Sequence, residues 1–249
     1  MKKKAKKPIT TKRLAIIGML GGISAILGLT PIGFIPIGPT NATIMHIPVI
    51  IGAIIEGPVV GVLVGLIFGI FSIIRAITAP TVVSPLFYNP LVSVLPRLLI
   101  GITAYYSYIT FKKMGKKSSI ITLVIIWVST IFYLGNNLIS GLNTGKSMTL
   151  LNIFLILITI SVGYYSFKKF NGDAVEIVIS SAIGTLTNTI GVLGMIYLLY
   201  GEKYVELTGG DTAFVGKAIL SIGIANGIPE VIVAMIIVTA VVSGVKKKV

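Results

Sequence analysis

The chain has 249 residues and a formal net charge of +14, yet only 11% of its residues are charged and 55% are hydrophobic. A mean hydropathy of +1.00 excludes a water-soluble domain, in which about a quarter of the residues are charged. The lack of cysteine excludes disulfides, thiolate metal centres and cysteine nucleophiles, and a single histidine leaves no basis for a zinc cluster.

The chain opens with Lys2, Lys3, Lys4, Lys6, Lys7, Lys12 and Arg13, a basic tail over 1–13 followed by an apolar run to Leu29. The charge resembles the first region of a signal peptide, but no small-residue cleavage site closes the run, so it reads as a retained first span. A bilayer core takes about 20 apolar residues per helix. On that measure spans fall near 14–30, 58–79, 90–111, 119–139, 148–167, 174–200 and 217–244. An eighth segment, 42–55, is apolar but short, carries Pro48 and follows the turn-rich, uncharged stretch 31–41, which predicts a partial or oblique helix. The fold class expected is therefore an all-α integral membrane protein, one transmembrane domain over 1–249 with about eight membrane segments.

The basic residues gather in short clusters beside apolar runs and not along a polar face, which argues for membrane topology and against nucleic acid. With the N-terminus inside, Lys112, Lys113, Lys116, Lys117, Lys168, Lys169, Lys246, Lys247 and Lys248 all fall on the same side, 16 of the 21 basic residues in total. Both termini are expected in the cytoplasm of a multi-pass protein of the cell membrane.

Polar side chains inside a bilayer are costly and tend to face a cavity. Asn41 and His46 flank the short segment, Arg75 closes the third, and Tyr88 and Asn89 precede the fourth, which holds Arg97 two turns in. Asn188 lies in the seventh, and Asn226 and Glu230 flank Pro229 in the last. All fall in the outer half of the bilayer under this topology, and they form the candidate substrate site. Arg97 is too deep to snorkel and requires a counter-ion, either Glu230 or an anionic ligand.

Small residues recur at four-residue spacing in Gly18 with Gly22, Gly21 with Ala25, and Gly57, Gly61, Gly65 and Gly69. Such spacing lets another helix backbone approach closely, either within the bundle or on a partner subunit. Gly141-Leu-Asn-Thr-Gly145-Lys146-Ser147 imitates a phosphate-binding loop but has three residues between its glycines where that loop needs four. With no metalloprotease motif, nucleophile elbow or paired intramembrane carboxylates either, an enzyme is not expected.

Several stretches resemble the substrate-binding S components of energy-coupling-factor (ECF) vitamin transporters: Pro39 to Pro48 running into Gly52 to Pro58, Asn89-Pro-Leu with Pro96 to Gly101, Gly184-Thr-Leu-Thr-Asn-Thr189, and Asn226-Gly-Ile-Pro-Glu230. The pantothenate-type and riboflavin-type members are the most similar. The resemblance implies a six-helix bundle that captures a vitamin at its outer face and joins a transmembrane coupling subunit and two ABC-type ATPases, which consume the ATP, so that the chain needs no cofactor. It implies that loop 31–41 gates the site and that the glycine series on the first and third helices docks the partner, although family members typically use alanines there. Residues 119–167 read as an extra helical hairpin inserted into that bundle. Pantothenate, with one carboxylate and several hydroxyl and amide groups, is the substrate expected. The alternatives are riboflavin or another vitamin, or a stand-alone secondary transporter with Glu230 or His46 as a proton relay.

Overall fold

The computed structural model describes residues 10–37, 40–141, 153, 156, 157, 159, 160, 174–210 and 212–246. Among them the chain is helical apart from one small hairpin, and five helices are long and apolar enough to cross a membrane. They are α1 (Thr11–Leu29), α3 (Pro58–Thr78), the pair α4 (Pro90–Ser93) and α5 (Leu95–Met114), α7 (Ala174–Thr208) and α8 (Val215–Lys246). Eight membrane segments are thus more than the described residues display. The expected span 148–167 lies almost wholly outside them, and the apolar stretch Ile120–Asn136 of α6 (Lys116–Gly141) falls short of a full span.

The short second segment is a half-length helix, α2 (Ile47–Glu56), buried along its whole length from Ile47 to Ile54. At 1.5 Å per residue it covers about 15 Å, half of a bilayer core of about 30 Å. Its far end is fixed, because Glu56 pairs with Lys12 at 3.6 Å and with Arg13 at 3.3 Å at the start of α1. His46, at the other end of α2, is therefore held deep within the bundle. Gly57 then turns the chain at φ 100°, which an L side chain adopts only with strain, and Pro58 starts α3.

The uncharged stretch expected as a loop is ordered as a short 3₁₀ turn, Pro31–Gly33, and two strands, β1 (Phe34–Ile37) and β2 (Thr40–Thr43). The strands pair antiparallel with Phe34 opposite Thr43 and Ile37 opposite Thr40. Two four-residue strands are marginal by themselves, so what tethers them matters for the site.

Glycine sets the closest helix contact. A Cβ on Gly61 would stand 2.6 Å from the Ala53 Cβ and 2.8 Å from the Gly101 Cα, one on Gly69 would stand 2.8 Å from the Val94 Cα, and one on Gly65 would overlap the Arg97 carbonyl. The series thus seats α3 antiparallel on α5, with backbones in contact as small-residue packing in membranes requires. α5 also packs on α7, where Thr187 donates to Thr103 at 2.9 Å and Gly191 faces Pro96. α7 in turn lies along α8. The first nine residues of α7, Ala174 to Ala182, are all buried, and α6 supplies Leu123 and Leu134 to the cluster around Val175, Val178 and Ile179. α6 therefore covers the start of α7. At 35 residues α7 is about 52 Å long and outruns the bilayer; it kinks at Tyr200, where the backbone leaves helical geometry at φ −144° and ψ 23°.

Candidate functional site

Two prolines prepare the charged residues. Pro96 has no N–H for the Val92 carbonyl one turn back, and the helix breaks at Val94 between α4 and α5. The Val92 oxygen so released accepts from Arg97 Nη1 at 2.6 Å. Arg97 is only 5% exposed; its Nη2 reaches Ser72 Oγ at 3.5 Å, its guanidinium lies over the Phe68 ring at 5.3 Å and the Phe87 ring at 6.0 Å, and its Nε has no partner. Among the described residues the ion pairs belong to Glu56, and none involves Arg97. A permanent, buried cation held by neutral groups alone is expensive unless an anion completes it.

Pro229 lies inside the continuous helix α8 immediately before Glu230. Glu230 is not bonded to Arg97. Its Oε1 accepts from the Thr43 amide at 2.7 Å and the Thr43 hydroxyl at 3.0 Å, and its Oε2 accepts from Thr189 at 3.1 Å. The carboxylate anchors β2 to α7 and α8, and the Arg97 charge still reaches it through space. On the other strand Arg75 donates to the Gly28 carbonyl at 2.9 Å and stacks over the Phe34 ring at 4.4 Å. Arg75 thus ties β1 to the end of α1, and it neither snorkels nor joins the Arg97 cluster. Thr43→Val removes one of the three donors to Glu230 while keeping a β-branched strand residue. We expect severalfold faster amide hydrogen exchange confined to 40–44 in this variant, read by mass spectrometry.

His46 is fully buried, with its Nε2 3.0 Å from Thr185 Oγ1, and its Nδ1 has no partner among the described residues. Asn188, 6% exposed, lies one turn further along α7 with its Oδ1 likewise unpartnered. The Arg97 charge acts on His46. Helices α2, α5, α7 and α8 thus bring His46, Arg97, Asn188 and Glu230 into one region. Asn226 is half-buried on α8, one turn before Glu230. Asn41 is in β2 opposite Pro36. Two expected contacts have other work: Asn89 caps α4 by accepting from the Leu91 amide at 2.9 Å and donates to Tyr200 at 3.0 Å, and Tyr88 is exposed at the end of a 3₁₀ turn. Sequence reasoning missed Thr43, Thr185 and Thr189. The spacing Thr185-x-x-Asn188-Thr189 puts three polar groups on one helical face and could have revealed two of them.

Along each helix the site keeps one level. Arg97 is about 25 Å from the end of α5, Glu230 about 24 Å from the end of α8 and Thr189 about 22 Å from the start of α7. All three distances are measured from the end of the bundle that carries the basic clusters, where Lys246 bonds the Tyr108 hydroxyl. The polar cluster therefore lies in the half of the membrane away from those clusters.

A buried polar cluster in one half of a helical membrane bundle suits solute capture, and sequence comparison gives it a family. Residues 12–242 match the profile described as "ECF transporter, substrate-specific component". The chain belongs to that family. It is also similar to the pantothenic acid transporter PanT of Lactococcus lactis subsp. cremoris (strain MG1363), at 25% identity over 209 residues covering 84% of this chain and 80% of that one. Membership makes the chain a multi-pass, substrate-binding transporter component, in a family of transporter parts and not of enzymes, and implies association with the other subunits of an ECF module.

The glycines divide under this reading. Gly61, Gly65 and Gly69 meet α5, Gly21 meets Ile67, and Ala25 is buried, so these face the protein's own bundle. Gly18 and Gly22 have no atom within 4 Å of where a Cβ would stand, and Gly57 likewise opens on space at the α2–α3 turn.

Proposed function

We propose that this chain is the vitamin-binding subunit of an ATP-driven ECF importer and that its substrate is pantothenate. The observation that carries the reading is Arg97: a buried guanidinium with an unpartnered Nε, no ion-pair partner among the described residues, and two unpartnered acceptors, His46 Nδ1 and Asn188 Oδ1, nearby. A carboxylate supplies the charge, and hydroxyl or amide donors supply the acceptors. Pantothenate has both, and the similarity to a pantothenic acid transporter supports the choice.

The end bearing the basic clusters is cytoplasmic, with both termini inside, so the site opens outward. The coupling subunit and two ATPases supply the energy, since the chain has no nucleotide-binding motif. Docking uses the open Gly18/Gly22 face of α1, with Leu14, Met19, Ile23 and Ile26 exposed around it. Gly18→Leu or Gly22→Leu is expected to abolish uptake and co-purification with the coupling subunit while leaving pantothenate affinity within about twofold. Reconstituted uptake should stop without ATP and persist with a protonophore. The opposite pattern belongs to a secondary transporter.

A further inference from the structure

Between His46 and α7 a chain of hydrogen bonds fixes where the imidazole carries its proton. Thr185 Oγ1 donates to the Ser181 carbonyl at 2.9 Å, which uses the only hydrogen on that hydroxyl. Toward His46 Nε2, 3.0 Å away, Thr185 can then only accept, so Nε2 carries the N–H. An imidazolium would place a second buried cation beside Arg97 with no carboxylate bonded to either, so the ring is neutral and Nδ1 is a bare lone pair. That lone pair is fully buried and meets no donor among the described residues. A buried acceptor left unpaired is costly, and a site that contains one rejects a ligand unable to fill it.

We propose that His46 is a specificity-determining residue: Thr185 and Ser181 hold it as the Nε2–H tautomer, and its Nδ1 accepts a hydrogen bond from a hydroxyl or amide N–H of the substrate. The proposal rests on the substrate reading above, and it adds a demand that charge alone does not make. An anion without a correctly placed donor satisfies Arg97 and leaves His46 unpaired. Simple carboxylates of similar size are refused on that ground.

The single histidine makes the test direct, because ¹⁵N-histidine labelling of the protein in nanodiscs gives the spectrum of one residue. The expected result without ligand is a protonated Nε2 and a bare Nδ1, and Thr185→Val should disturb it. A protonated Nδ1, in either the other tautomer or the charged ring, overturns the proposal whether or not pantothenate binds. Affinities are then compared for pantothenate and for analogues that each lack one donor: either hydroxyl replaced by hydrogen, or the amide N-methylated. One of these should bind wild type about tenfold or more weakly. His46→Gln keeps a donor for Thr185 but removes the acceptor, and it should lose that discrimination. His46→Asn places an amide oxygen where Nδ1 stands and should restore it. Equal discrimination in His46→Gln and wild type overturns the proposal, whereas wild type that fails to bind pantothenate at all overturns the substrate reading and leaves the tautomer result to stand or fall by itself.

Discussion

Arg97→Ala is expected to weaken pantothenate binding at least about tenfold and to leave the affinity for its neutral alcohol, pantothenol, within about threefold. Charge-assisted hydrogen bonds contribute about 1.5–3 kcal/mol each, and a guanidinium can make two in parallel to one carboxylate. One such bond is already worth about tenfold. The alcohol is needed as a control because Arg97 also holds the Val92 carbonyl and reaches Ser72, so its removal loosens the α4–α5 junction. A structural loss weakens acid and alcohol alike. Arg97→Lys retains the charge without the planar fork and should fall between wild type and alanine for the acid. Equilibrium binding to purified protein checks wild type and both variants with both ligands, and equal losses for acid and alcohol would make Arg97 a structural residue.

Gly65→Leu should be the most damaging single substitution in the helices. A Cβ there already overlaps the Arg97 carbonyl, and it would approach the Leu98 amide nitrogen at 3.4 Å. Relief requires α3 and α5 to separate, and that movement carries Arg97 with it. Overpacking in well-packed interiors costs about 1–3 kcal/mol and more where backbone must move. The expected outcome is a lowered melting temperature with pantothenate binding lost, read together by thermal unfolding and by a binding isotherm. Four-residue spacing leaves Gly61 and Gly65 open to packing within the bundle or on a partner, and the family resemblance implies a docking face, where leucine should disrupt partner association with binding intact. Contact with α5 reverses that expectation and leaves the open face to Gly18 and Gly22.

The contrast shows what sequence can specify here. Span positions follow from the thermodynamics of burying backbone in lipid, which any apolar run of sufficient length reports. α1, α3 and α8 accordingly begin and end close to the expected bounds. Four-residue glycine spacing reports a close helix approach equally well, but it does not say which helix approaches. The same limit applies to charge. Arg97 and Glu230 both had to be satisfied, and their shared need suggested a pair. Thr43 and Thr189 answer Glu230 instead, from a hairpin and a helix far apart in sequence, and only three-dimensional placement reveals such donors. The hairpin itself is hidden because Phe34-Ile-Pro-Ile37 and Thr40-Asn-Ala-Thr43 are short and Pro36 reads as a breaker. Asn89 carries a further signal that was legible: Asn before Pro90 is a helix-capping signature, and its side-chain oxygen does cap α4.

On the proposed function this subunit captures an anionic vitamin without a partner, and the guanidinium of Arg97 is the deciding contact. Equilibrium binding of radiolabelled pantothenate to the purified chain in nanodiscs, without any coupling subunit or ATPase, tests it most directly. Saturable binding of one molecule per chain is expected, displaced by unlabelled pantothenate and at least about tenfold less effectively by pantothenol. Absence of saturable binding, or equal displacement by acid and alcohol, would contradict it.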